Sequence, residues 1–351
     1  MKYIATLALK NGMELAENVF DYKNKVILKE GVIIDELSIS KLERYSIMTV
    51  LIKEPKDYAT TRFEKMHLDD QYRKFEDEYK NNLNAYKYMI NQFIEKKEPI
   101  NIEYLLQIHD NITKYAKSGE QLLDMLYNML PSEDDLTYAH CLNAALISHV
   151  FGGWLSLSKE DVRILTLCGF FYDIGKITLP NSLIWSPGKL SDFQFNWMKT
   201  HTTIGYDLIK NQKIDQHIIN ATLMHHERCD GSGYPNHLKD EEIDLFSKYI
   251  SIVDAYVAMT SARIYRKSKH AFEVVESFID AGVEKYGSGI IWPILEHIAQ
   301  SQLGRKVLLS NGFEADVIFI NKMSLARPLV KMGEEVLDLY KNPEIKIVAI
   351  L

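Results

Sequence analysis

Two adjacent histidines open the segment of the chain with the strongest chemical signal. His225 and His226 follow an apolar helical stretch, so both imidazoles can reach one centre, and neutral imidazole is a common ligand of transition metals. The segment continues through Asp-Gly-Ser-Gly-Tyr-Pro, a rigid turn that carries the aromatic ring of Tyr234. Because packing alone does not explain this combination, it predicts a metal-binding site.

Two aspartates interrupt apolar helical sequence elsewhere in the chain. Asp173 closes one apolar run and Asp254 lies inside another, and a buried carboxylate is costly unless it is paired or bound to a metal. A cation follows each of them: Lys176 comes one helical turn after Asp173, and Arg263 lies about two and a half turns after Asp254. Both cations could reach a phosphate over the site. For Lys176, a solvated side chain at a helix end remains the alternative.

Two further histidines complete the set of candidate metal ligands. His140 shares a helix face with apolar residues, where a histidine is more often a satisfied core residue, and His201 means little alone. Taken together, four imidazoles and two carboxylates exceed one ordinary site and suit two metals with a bridging carboxylate. The mixture of nitrogen and oxygen ligands favours iron, manganese or zinc over magnesium. The candidate ligands are His140, Asp173, His201, His225, His226 and Asp254.

The segments that must position these residues are mainly helical. We predict a mainly α protein whose all-helical domain spans residues 126–303, with glycine and proline clustered in loop regions near Pro180 to Gly188 and Cys229 to Pro235. A small mixed α/β domain is expected at residues 1–58 and a helical linker region at 59–125. Short strands punctuated by glycine predict a β extension at 304–351.

One long amphipathic helix is expected in the linker region. Apolar residues from Phe75 to Phe93 recur at helical spacing, without glycine or proline between them. Such a face most simply packs on a core. It is also a plausible surface for a homodimer.

The composition excludes several classes of protein. The 351 residues carry a formal net charge of −7, which argues against a broad nucleic-acid-binding face. The three cysteines form no Cys-x-x-Cys pair and do not suggest a disulfide framework. No apolar stretch reaches the length of a membrane span, and the first residues are too polar for a signal peptide. We therefore expect a cytoplasmic protein.

The order of these motifs resembles the HD-GYP subfamily of HD-domain phosphohydrolases over about residues 130–303. The matching features are the first histidine, Asp-x-Gly-Lys, a single histidine, His-His-Glu with Asp-Gly-x-Gly-Tyr-Pro, and an aspartate before Thr-Ser-x-Arg. The resemblance implies a helical domain with a buried metal centre that hydrolyses cyclic di-GMP to pGpG or GMP.

The resemblance also implies roles for single residues. Two metals bridged by Asp173 would activate a water for attack on a phosphodiester, while Lys176 and Arg263 neutralise the phosphate oxygens. Tyr234 would position the substrate. Glu227 is expected to orient a neighbouring histidine rather than to bind a metal.

Three positions depart from the family's pattern. The name-giving His-Asp pair is Tyr172-Asp173 here, so a histidine ligand is missing. Leu136 and Val257 stand where some relatives carry acids. These changes weaken the site near Asp173 and Asp254. They leave two hypotheses open: a slow, metal-dependent phosphodiesterase, or a degenerate cyclic di-GMP sensor or interaction protein with little turnover.

Overall fold

The computed structural model describes residues 2–23, 25–53, 66, 69–129, 136–184, 188–261 and 268–351. The predicted phosphate-binding residue Arg263 lies outside these ranges. The described chain is mainly helical, which confirms the predicted fold class. In chain order its α-helices are α1 (Glu36–Arg44), α2 (Asp70–Lys96), α3 (Ile102–Thr113), α4 (Gly119–Tyr127), α5 (Leu136–Trp154), α6 (Lys159–Phe171), α7 (Asn181–Ile184), α8 (Asp192–Lys199), α9 (His201–Ile209), α10 (Gln216–Met224), α11 (Leu245–Thr260), α12 (Ala271–Ala281) and α13 (Ser288–Gln300).

The N-terminal residues form a small mixed unit with a core of its own. The middle strand of its antiparallel sheet is β5, which pairs with β1 on one side and β2 on the other, while β3 and β4 pair separately. Buried residues such as Ile4, Leu15 and Leu42 join the sheet to α1. The strands are β1 (Lys2–Ala5), β2 (Glu14–Leu15), β3 (Val19–Phe20), β4 (Val26–Leu28) and β5 (Thr49–Lys53).

The long helix α2 belongs to the core of the helical domain. Its apolar face, from Tyr72 to Phe93, is buried against residues of α3, α5 and α6. Two tyrosines on this face also donate hydrogen bonds, Tyr79 to Asn143 Oδ1 at 2.7 Å and Tyr86 to the carbonyl of Phe170 at 2.5 Å. The homodimer predicted through this helix is therefore not supported, because the chain's own core covers the apolar face.

The helices that carry the candidate site are packed almost entirely by apolar side chains. Helix α5 packs along α6, and α10 and α11 pack against them. Gly169 in α6 lets this helix approach α5 closely, since a Cβ at this position would lie 2.5 Å from the backbone of Ala145. The backbones of α5 and α6 are thus in direct contact beside the candidate ligands.

The C-terminal residues form a five-stranded antiparallel sheet, where the sequence predicted a β extension of short strands. Its strand order is β10-β6-β7-β8-β9, and its buried residues join the same core as the helices. Arg305 connects the sheet to α4 through two hydrogen bonds to the carboxylate of Asp124, at 2.9 and 2.8 Å. The strands are β6 (Lys306–Leu309), β7 (Glu314–Phe319), β8 (Leu329–Met332), β9 (Glu335–Asp338) and β10 (Ile347–Ile350).

Among the helices that the structure describes, none combines the length and the apolar composition needed to cross a membrane.

Candidate metal centre

Asp173 follows a helix whose last turns are apolar on all sides. Ser158 caps the start of helix α6, because its hydroxyl accepts a hydrogen bond from the Asp161 N–H at 3.1 Å, and the later turns of the helix are buried. The helix ends at Phe171, and a 3-10 helix follows at Ile174–Thr178. Asp173 therefore stands at the junction, with its carboxylate completely buried.

Two glycines bring this junction against α9. A Cβ at Gly175 would lie 2.0 Å from the carbonyl oxygen of His201 and 2.7 Å from the Gly205 nitrogen. Because all of these are backbone atoms, no side chain could move aside to make room. The absence of a side chain at Gly175 thus lets the first turn of α9 approach Asp173.

The hydrogen bonds of His201 and His225 fix which ring nitrogen faces the site. Nδ1 of His201 lies 2.7 Å from the carbonyl of Met198, and Nδ1 of His225 lies 3.0 Å from the carbonyl of Ala221. A carbonyl oxygen only accepts, so both Nδ1 atoms carry a proton, and in a neutral imidazole the Nε2 atom then presents a lone pair. Burial, followed by the charge of Lys176, lowers the pKa of His201 to about 3, so this imidazole is neutral.

These lone pairs converge on a carboxylate oxygen. The two Nε2 atoms lie 3.2 Å apart, and they lie 3.3 and 3.5 Å from Oδ1 of Asp173. Among the described residues, this oxygen has no hydrogen-bond donor. His226 also brings a ligand atom within 4.8 Å of the other three. Several buried acceptors without a donor fit a bound cation, and the imidazole and carboxylate donors suit a transition metal.

A second group of candidate ligands shares Asp173. Nε2 of His140 lies 3.0 Å from Asp254 Oδ1 and 3.6 Å from Asp173 Oδ2. Lys176 donates to the same Oδ2 at 2.6 Å. Burial raises the pKa of Asp173, but the charge of Lys176 outweighs it, and the net pKa lies well below the usual range. Asp173 is therefore ionised and stands between the two groups.

Tyr172 occupies the position of the missing histidine without resembling a ligand. Its hydroxyl donates to Oδ1 of Asp254 at 3.3 Å, and its ring packs edge-on against His225. Burial, then the charges of Asp254 and Asp173, raise its pKa well above that of free tyrosine. The side chain is thus a neutral phenol that donates a hydrogen bond.

The turn after the paired histidines is held by Glu227. This buried carboxylate accepts backbone hydrogen bonds from Asn236 at 2.7 Å and Leu238 at 3.1 Å. The expectation that it orients a neighbouring histidine is wrong, because its oxygens bind the turn. The turn in return places the Tyr234 ring on His226, stacked at 4.6 Å between centroids.

The structure brings together all the predicted site residues that it describes. Sequence reasoning missed the neighbouring helix α8, which places Lys199 5.8 Å from the centre of the Tyr234 ring. The signal that could have revealed α8 is its three aromatic residues in a short polar helix. The residues brought together are His140, Asp173, Lys176, His201, His225, His226, Tyr234 and Asp254.

Comparison with known proteins decides the family of this region. Residues 124–288 match the family described as HD domain. This part of the chain is an HD domain. The resemblance inferred from the motifs is therefore confirmed, and the two groups of candidate ligands described above lie within the HD domain.

Relatives of the chain include cyclic di-GMP phosphodiesterases. It is 41% identical over 128 residues to the cyclic di-GMP phosphodiesterase response regulator RpfG of Xanthomonas campestris pv. campestris, covering 35% of this chain and 34% of the relative. It is 28% identical over 204 residues to the cyclic di-GMP phosphodiesterase PA4108 of Pseudomonas aeruginosa, covering 58% and 49%. The chain thus spans about a third to a half of the length of these relatives.

A solved structure shares the fold over most of the chain. It is Bd1817, a HDG"Y"P protein from Bdellovibrio bacteriovorus, with a TM-score of 0.50 and 16% identity. The match covers 84% of this chain and 98% of that one. At this identity the likeness concerns the fold alone.

Proposed function

We propose that the chain is a metal-dependent phosphodiesterase that hydrolyses cyclic di-GMP to pGpG or GMP. The observation that carries the proposal is the position of Asp173, whose two oxygens face two separate groups of candidate ligands. A carboxylate shared in this way suits a pair of cations, and paired cations are a common solution for in-line displacement at phosphorus. The names of the relatives supply the substrate class.

The donor set indicates which ions the site would hold. Asp173, His201, His225 and His226 would bind one ion, and His140, Asp173 and Asp254 would bind the other. Imidazole and carboxylate ligands favour iron or manganese, with zinc as a third option. When bound, such ions polarise a phosphodiester and lower the pKa of a water molecule.

The chain's own residues would prepare the site for the substrate. The buried apolar walls around Asp173 exclude bulk water, which strengthens every charge interaction inside. Lys176 neutralises the Asp173 carboxylate at 2.6 Å and would also attract a phosphate, together with Arg263. Tyr234 is held rigidly on His226 by the Glu227 turn, so its ring would position the substrate.

A product assay tests the proposal. The purified protein is incubated with cyclic di-GMP and either manganese or ferrous iron, and the products are resolved by chromatography. We expect metal-dependent release of pGpG or GMP, and we expect Asp173→Asn to abolish it because the shared anionic ligand is lost. Wild-type protein that binds no metal and releases no product would overturn the proposal.

A second candidate function rests on Tyr172. Because the neutral phenol donates to Asp254, one ligand position of the second group is missing. The chain would then serve as a cyclic di-GMP sensor or interaction protein with little turnover. Metal analysis separates the two functions: two ions per chain favour catalysis, and one or none favours the sensor.

A further inference from the structure

Helix α8 exposes aromatic side chains that do not contribute to the core. Phe193 is 76% exposed, Phe195 49% and Trp197 43%, and no residue of the helix is buried. The helix is stabilised instead by a capping box, in which the Ser191 N–H donates to Gln194 Oε1 and the Gln194 N–H donates to Ser191 Oγ. Folding therefore does not require aromatic residues at these positions.

The same helix is fixed to the metal centre. The carbonyl of Met198, in its last turn, accepts the hydrogen bond that orients His201. Only Thr200 separates α8 from α9, which begins at His201 itself. The position of α8 is thus coupled to that of a candidate ligand.

One face of α8 continues the surface formed by Tyr234. Phe195 and Lys199 lie one turn apart, and the Phe195 ring packs edge-on to Tyr234 at 6.5 Å. The ammonium of Lys199 lies 5.3 Å from the centre of the Phe195 ring and 5.8 Å from that of Tyr234. Within the described parts of the chain, Lys199 has no carboxylate partner. Together with His226 beneath Tyr234, these side chains form a continuous surface from the metal centre to solvent.

We infer that Phe195 and Lys199 form a purine-binding platform for the cyclic dinucleotide. An exposed aromatic ring beside a cation without a carboxylate partner is complementary to a nucleotide. The base stacks on aromatic rings, and the phosphate attracts an ammonium. This inference rests on the proposed function: with one phosphodiester at the metal centre, a base of the same molecule extends along the surface. Phe195 stacks on that base, and Lys199 pairs with the neighbouring phosphate.

The platform predicts a loss of substrate affinity when the aromatic face is removed. Phe195→Leu keeps an apolar side chain but removes the ring, so KM for cyclic di-GMP should rise about ten-fold, with kcat little changed. Phe195→Trp should restore the wild-type KM. Phe193→Leu is the matched control, because Phe193 lies on the same helix but pairs with Trp197 instead of Tyr234, and it should leave KM unchanged.

A fluorescent analogue tests the stacking itself. A cyclic dinucleotide with 2-aminopurine in place of one guanine should lose fluorescence on binding to wild-type protein and to Phe193→Leu, but much less on Phe195→Leu. If wild-type protein cleaves cyclic di-GMP while Phe195→Leu matches it in KM and quenching, the platform is overturned and the exposed aromatics serve another partner. If wild-type protein neither binds nor cleaves the dinucleotide, the proposed function itself fails, and the platform fails with it.

Discussion

Tyr172 is the residue whose chemistry most affects the second metal position. Its phenol stays protonated and donates to Asp254, whereas an imidazole would bind a divalent ion while neutral. We expect Tyr172→His to raise metal affinity by about ten-fold or more, the scale on which supporting groups change metal affinity. Turnover of cyclic di-GMP should rise with it. Metal content after dialysis and the rate of product release measure the two effects.

Tyr172→Phe provides the control for this exchange. It removes the hydroxyl but keeps the ring that packs against His225, so the metal content should stay at the wild-type value. If Tyr172→His changes neither metal content nor rate, the tyrosine is not what limits the site. The sensor hypothesis would then need another cause.

At the scale of residues, the sequence predicted which side chains meet but not all of their partners. Histidines and aspartates in apolar helices stand out because an unpaired buried charge is costly, and this reasoning found both candidate ligand groups. The role of Glu227 could not be predicted in this way. Its partners are backbone N–H groups nine and eleven residues further on, and no side-chain pattern marks such donors.

Among the elements, the contact between the 3-10 helix and α9 depends on Gly175. A methyl group there would meet the backbone of His201 and Gly205, so Gly175→Ala must separate the two elements. We expect it to lower the free energy of unfolding by about 1–3 kcal/mol, as for overpacked cores. It should also lower metal content, because Asp173 and His201 move apart. Urea denaturation and metal analysis check both effects.

Gly153→Ala is the matched control. Gly153 lies in α5 and a Cβ there would meet no atom within 4 Å, so the change should be neutral or stabilising, since alanine is the better helix former. If Gly175→Ala is as stable and as metal-rich as Gly153→Ala, the close approach is not needed to hold the site.

A pair of neighbouring histidines on α3 and α5 makes stability depend on pH. His109 is buried, and its ring lies 4.5 Å from that of His149. Burial lowers the pKa of His109, although the charge of Asp110 opposes this shift. The pKa of His149 falls to about 4, because its ring is partly desolvated and lies beside His109.

The sign of the pH effect follows from these shifts. The unfolded histidines take up protons below about pH 6.5, whereas the folded ones remain neutral, so protonation favours unfolding. The free energy of unfolding should therefore fall as the pH drops from about 6.5 towards 4. His109→Asn should flatten this slope, and His237→Asn, at an exposed position, should not. Equal slopes in urea denaturation across this range would contradict the assignment.

The elements themselves were more predictable than their partners. The spacing of apolar residues predicted the long helix α2, but periodicity marks only a face that must be covered, not what covers it. The pattern is the same whether a second copy of the chain or the chain's own helices cover the face. Helix α8 is the opposite case. Its aromatic side chains are exposed, and a short helix that buries no residue leaves no periodic pattern of buried positions in the sequence.

For the whole molecule, the two hydrophobic cores define what should fold alone. The buried residues of the N-terminal unit form one core, and those from α2 to β10 form another. The sequence predicts a helical linker at residues 59–125, but α2 lies within this range and its apolar face is part of the second core. We therefore expect the boundary between the two independently folding parts of the chain to lie before α2, rather than after it.

Two fragments test this boundary. A fragment of residues 66–351 keeps α2, so we expect it to melt cooperatively and to bind as much metal as the full chain. A fragment of residues 98–351 exposes the surface that α2 covers and loses the hydrogen bonds from Tyr79 and Tyr86. Losing several buried aromatic side chains costs more than the typical stability of a domain, about 5–15 kcal/mol, so the shorter fragment should aggregate or melt without cooperativity. Circular dichroism melts and size-exclusion chromatography distinguish the two results. If residues 98–351 fold and bind metal as well as 66–351, α2 is a linker, and its tyrosines are dispensable for the metal centre.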